Sequence, residues 1–81
     1  MNDVKTEIIS IYPNPVSTTL IIQSEEVIKK VEIIAANGTV VAVQEAFENE
    51  VQLPVENINN GLYLVKISTS KGTILRAVIK K

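Results

Sequence analysis

Leu62-Tyr63-Leu64-Val65-Lys66-Ile67-Ser68-Thr69-Ser70-Lys71-Gly72-Thr73-Ile74-Leu75-Arg76-Ala77-Val78-Ile79-Lys80 is the stretch that decides the fold. Two runs rich in Val, Ile and Leu flank a Ser-Lys-Gly turn. Tyr63, Val65 and Ile67 recur with a period of two, the spacing that puts side chains on one face of a strand. Neither run keeps a helical period, and branched side chains suit a pleated, half-buried surface. The reading is a hairpin of two strands, residues 62–69 and 73–80.

Working back from this hairpin, the same grammar repeats at fairly even spacing, as in an all-β sandwich or barrel. Residues 7–12 form a first strand that stops at Pro13, which has no N–H to give a ladder. Residues 19–24 form a second, with Leu20 and Ile22 on one face. In residues 29–35, Val31 and Ile33 alternate with Lys30 and Glu32. Asn37-Gly38 is a hairpin turn, since both residue types tolerate positive φ. Residues 39–46 return from it, and Pro54 confines residues 50–55 to an edge. The expected fold is a seven-stranded antiparallel Ig-like β-sandwich. Its expected core is Ile9, Ile11, Leu20, Ile22, Val31, Ile33, Val51, Leu53, Tyr63, Val65 and Ile67. Residues 1–8 are read as a linker and the beginning of the first strand, and 9–81 as the domain. Such a small core implies a modest stability of roughly 3–5 kcal/mol.

Composition narrows the function. The chain has 81 residues, 46% hydrophobic and 21% charged, with a net charge of -1. The basic residues form no concentrated patch of the kind phosphate binding needs, so nucleic acid is not an expected partner. No apolar run approaches the roughly 20 residues of a spanning helix, so no direct membrane insertion is expected. Residues 1–6 lack the basic and apolar regions of a signal peptide. The sequence contains no Cys and no His, which removes the common zinc and copper ligands and nucleophile–base pairs built on them.

Other chemistry finds little footing. Glu45, Glu48 and Glu50 surround Phe47, but hard-cation loops favour closely spaced Asp and Gly, so a solvated acidic turn is the reading and no metal is expected. Glu25 and Glu26 beside Lys29 and Lys30 read as surface charge. Ser17-Thr18-Thr19 has no base partner. No cofactor and no enzymatic activity are expected.

Two short segments stand out. In Tyr12-Pro13-Asn14-Pro15, each proline fixes its own φ and keeps the preceding residue from the helical region. A stiff, polyproline-like connector is expected there, outside any ladder and exposed on at least one side. Gly61-Leu62-Tyr63 follows a polar run, with Gly61 in a conformation closed to other residues. The Tyr63 ring should fill core while its hydroxyl reaches a backbone partner.

In this order and at this separation, the two segments resemble the type A C-terminal sorting domain of the type IX (Por) secretion system of Bacteroidetes. That family runs from Tyr-Pro-Asn-Pro, through a hairpin, here Val31 to Val41 around Asn37-Gly38, to a Gly-x-Tyr strand and a basic end. Ile58 stands where the family has a Leu before Gly-x-Tyr. Arg76 and Lys80 match its closing basic pair, followed by Lys81. Ile34, Ala35 and Thr39 depart from the more polar residues frequent in the family hairpin. The resemblance spans about Ile9 to Lys81.

It implies a passive role: a sorting signal at the C-terminus of an N-terminal cargo protein, which it directs across the outer membrane. The implied partners are the outer-membrane translocon and its shuttle components, and a sortase-like cysteine peptidase that removes the domain. The implied itinerary is the periplasm, then the cell surface or the exterior. The alternatives are an adhesion or carbohydrate-binding accessory module, or an Ig-like spacer in a secreted enzyme. The first would show exposed aromatics or a metal loop, and the second would have sequence on both sides. The expected recognition residues are Tyr12, Pro13, Asn14, Pro15, Gly61, Tyr63, Arg76, Lys80 and Lys81, with Asn37 and Gly38 as the turn. Residues four apart share a strand face, so Arg76 and Lys80 are expected outermost with Lys81, on a strip shared with Ile74 and Val78.

Overall fold

The computed structural model describes residues 9–81, so the expectations for residues 1–8 lie outside the described residues. Five strands form: β1 (Ile9–Tyr12), β2 (Thr19–Ala35), β3 (Val40–Pro54), β4 (Gly61–Thr69) and β5 (Gly72–Lys80). They join antiparallel into one sheet in the order β1-β2-β4-β5, with β3 along the other edge of β2. There is no helix among the described residues.

All-β architecture and antiparallel pairing agree with the sequence reading, but the seven-stranded Ig-like sandwich does not. Every expected strand segment within the described residues is extended. Residues 19–24 and 29–35, however, are halves of one strand, as are 40–46 and 50–54, with Thr39 and Val55 just outside it. The charged break at Glu25-Glu26 does not end β2 but bends it. A straight strand of 17 residues would run about 53 Å at ~3.3 Å per residue. That exceeds the 44 Å long axis of the molecule, in keeping with a strand that bends where its register shifts between Gln23 and Ile28.

The bend is a bulged corner. Gln23 pairs with Glu50 and Ile28 with Glu48, so Ser24 to Val27 oppose Asn49 alone. The Asn49 Nδ2 donates to the carbonyl oxygens of Ser24 and Glu25, each at 3.2 Å. The Ser24 hydroxyl oxygen accepts from the Glu26 amide at 3.0 Å. These bonds satisfy backbone groups that the interrupted ladder leaves over.

The corner divides the sheet into two halves around one core. Leu20, Ile22, Val51 and Leu53 come from the first half, and Ile28, Val31, Ile33, Tyr63, Val65, Ile67 and Val78 from the second. Val16 and Val55, on connections, plug the remaining space. All expected core residues are buried except Ile9 and Ile11, which are half-buried against the cluster. Val16, Ile28, Val55 and Val78 are core positions the alternation did not single out. Pro54 closes β3, which pairs with β2 alone among the described residues, as expected of a proline-bearing edge.

Candidate recognition site

Each segment singled out in the sequence reaches the same end of the molecule, except Arg76. In the β4–β5 hairpin, Gly61 pairs with Lys80, Leu62 with Ile79 and Tyr63 with Val78. Tyr63 also pairs with Ala35, so the Asn37-Gly38 turn lies beside them. On the outer side of β5, Val16 forms a parallel bridge with Lys80. The end of β5 is thus flanked by the start of β4 on one side and by the segment after Tyr12-Pro13-Asn14-Pro15 on the other.

That segment grips β5 through backbone and side chain. The Val16 amide donates to the Ile79 carbonyl oxygen and the Lys81 amide to the Val16 carbonyl oxygen, both at 2.8 Å. The Asn14 Oδ1 accepts from the Ile79 amide at 3.0 Å, and its Nδ2 donates to the Ala77 carbonyl oxygen at 3.4 Å. The asparagine amide, with one acceptor and donors beside it, mimics a backbone peptide at the edge.

Pro13, Asn14 and Pro15 lie outside the strands and are exposed. The expected extended, polyproline-like connector is corrected: the chain bends at Asn14 and Pro15, and both X-Pro peptides are cis. Tyr12 pairs with Ile21 and stays partly open to solvent. Gly61 has φ +149°, a region that disfavours any Cβ. Tyr63 is buried, and its hydroxyl donates to the Asn59 carbonyl oxygen at 2.6 Å.

The turn at Asn37-Gly38 differs from expectation in one respect. Only Gly38 takes positive φ, at +91°. Its amide donates to the Ala35 carbonyl oxygen at 2.9 Å, and the Ala35 amide to the Thr39 carbonyl oxygen at 2.8 Å. Asn37 contributes through its side chain, accepting from the Thr39 amide at 3.0 Å. This pattern fits a three-residue hairpin loop with the glycine at the left-handed position.

The basic end is the main correction. Lys80 is 6% exposed, so it is not outermost. The face of β5 bearing Val78 and Lys80 turns inward, because Val78 is opposite Tyr63 in the core. The Lys80 Nζ donates to the Lys81 carbonyl oxygen at 3.4 Å, which gives the ammonium of this buried residue a partner. Arg76, on the same face nearer the open edge, is exposed, as is Lys81. The opposite face of the hairpin exposes Leu62, Leu64, Leu75 and Ile79, with Lys66 among them opposite Leu75. Alternation alone could not choose between the two faces of β5, since both carry branched side chains.

The acidic residues stay apart from this end. Gln44, Glu45, Glu48, Glu50 and Gln52 line an open depression of about 230 Å³ along β3. Hydrogen bonds from Gln23, then Gln52, hold the Glu50 carboxyl below the usual carboxylate range. Among the described residues, no group of three or more His, Cys, Asp or Glu side chains is arranged to hold a metal ion.

Comparison with known families matches residues 10–81 to the secretion system C-terminal sorting domain. No curated protein matches the chain significantly. Since the match spans the whole described fold, the chain belongs to the C-terminal sorting domains of the type IX secretion system.

Proposed function

We propose that this domain acts as a ligand and substrate of the secretion machinery, not as a catalyst. The domain is a C-terminal type IX sorting signal. Its family marks secreted proteins that pass the outer membrane. In the proposed course, an attached cargo waits in the periplasm while the translocon and its shuttle components engage the folded domain. A sortase-like cysteine peptidase then removes it.

The observation that carries this reading is the convergence on the end of β5. Asn14 and Val16 hold one side of the terminal residues and Gly61 to Tyr63 pair with the other. A signal built this way exists only in the folded domain. Arg76 and Lys81 are the cations offered to a partner, while Lys80 serves packing. Charge at such an exposed rim steers encounter more than it adds affinity.

The test is to fuse residues 9–81 to a neutral reporter in a host that has the pathway. The unmodified fusion should reach the cell surface or medium with the domain removed, and the reporter alone should stay in the periplasm. Combining Arg76→Gln with deletion of Lys81 should hold the reporter in the periplasm with the domain folded and uncleaved. Normal export of that variant would refute the role given to these cations.

A further inference from the structure

The outer edge of β5 is only partly covered. Odd-numbered residues turn their backbone groups away from β4, as the bonds of Ala77 and Ile79 to Asn14 and Val16 show. Toward Gly72 this cover stops. Among the described residues no strand pairs with the outer edge at Thr73 and Leu75. The Arg76 guanidinium bends back to donate to the carbonyl oxygen of adjacent Leu75 at 3.2 Å, and it has no ion pair among the described residues. The adjoining outer face is largely apolar, with Leu75 53% exposed near Leu64 and Ile79, and Lys66 opposite Leu75 is already paired with Glu32.

A second open edge, on β3, is guarded differently. It is broken by register shifts, carries Glu45, Glu48 and Glu50, and ends in Pro54. Bulges, charges and proline are the devices that keep strands from adding. In contrast, β5 pairs with β4 in uninterrupted register over its whole length. It contains no acidic residue. A second copy pairing through β5 would therefore bring two Arg76 guanidinium groups to one edge with no carboxylate on either strand.

We propose that the β5 edge from Thr73 to the Ala77 amide takes up an extended strand of a partner protein. That strand carries a carboxylate on the face of Arg76 and apolar side chains on the face of Leu75 and Ile79. An incoming amide replaces the arginine on the Leu75 carbonyl oxygen, and the released guanidinium pairs with the carboxylate. The parallel bridge at Val16 shows that this edge already accepts a strand, and the partner extends that pairing. The sorting function enters only in placing the partner within the secretion machinery.

The test titrates the isotope-labelled chain with two short synthetic peptides in which valine and threonine alternate. One has glutamate, the other lysine, at a central position of the threonine register. The glutamate peptide should shift the amide signals of Thr73, Leu75 and Ala77, and the lysine peptide should bind about tenfold more weakly. Leu75→Pro should abolish binding with the fold intact, because that N–H faces away from β4. Thr73→Pro serves if the first variant is unfolded. Arg76→Gln should erase the difference between the peptides. Equal binding of both peptides, shifts confined to β3, or no shift with either overturns the proposal. So do the same shifts on concentrating the chain alone, which would make a second copy the occupant. Export of a fused reporter separates the two readings. If the unmodified domain exports it and Leu75→Pro does so equally well, the edge proposal falls and the sorting function stands. If the unmodified domain fails to export it, the sorting role falls, and the titration still judges the edge.

Discussion

Replacing Asn14 with alanine isolates the side chain that ties the two ends of the domain together. Two hydrogen bonds disappear: the 3.0 Å bond from the Ile79 amide and the 3.4 Å bond to the Ala77 carbonyl oxygen. Both are exposed, so water can replace the lost partner, and the longer bond is at the limit of useful geometry. The net cost is about 1 kcal/mol rather than the sum of two full bonds. For a domain this small, that lowers Tm by roughly 4–8 °C. The two backbone bonds between Val16 and the end of β5 remain, so the fold persists while its last residues loosen. Amide hydrogen exchange reads this directly. Exchange at Ile79 should accelerate at least about fivefold beyond that at Val65 and Ile67, whose bonds sit in the middle of the sheet. Reporter export should fall by more than the small loss of folded population explains. If Ile79 and Val65 exchange accelerate in parallel, Asn14 supports global stability only, and the clasp has no separate existence.

Four further outcomes follow from the same contacts. Ile28→Ala empties a fully buried position at the corner, and such truncations cost about 2–5 kcal/mol; denaturant melts should show most of the domain's stability gone. Gly61→Ala meets no neighbour within 4 Å, so its cost, about 1–2 kcal/mol, is set by φ +149° alone and should appear as a lower Tm. Lys80→Met should leave both melting and reporter export near those of the unmodified domain, because this lysine is buried and a methionine of similar shape fills the same space. For Glu50, the lowered folded-state pKa means its contribution is present at neutral pH. That contribution is lost as pH falls through the ordinary carboxylate range to the folded value, so Glu50→Gln should flatten that part of a stability–pH curve.

The alternation that identified the strands is a local signal, and it located each extended segment well. It could not decide whether neighbouring segments join. Ser24 to Val27 carry two glutamates and look like a loop. The strand continues through them because the Asn49 side chain, far away in sequence, donates to the Ser24 and Glu25 carbonyl oxygens. Nothing local to either residue announces that pairing. Asn37-Gly38 was legible as a turn for a similar local reason, but its conformation was not. The glycine alone takes the left-handed position, while the asparagine bonds through its side chain.

The basic end shows a different limit. A strand with branched side chains on both faces gives no period-two contrast, and one step of register exchanges inside for outside. For β5 that step was settled by Val78 meeting Tyr63 across the hairpin, which places Lys80 inside and leaves Leu75 and Ile79 outside. The consequence reaches function. A basic strip made of Arg76 and Lys80 together would be a simple electrostatic tag, readable on an unfolded tail. With Lys80 buried, the exposed cations are Arg76 in the middle of β5 and Lys81 just past its end, and their spacing is set by the folded strand and the Asn14 and Val16 bonds that hold it. A partner that requires that spacing discriminates folded domains from unfolded ones without any further device, because unfolding removes the geometry while leaving the charges in place.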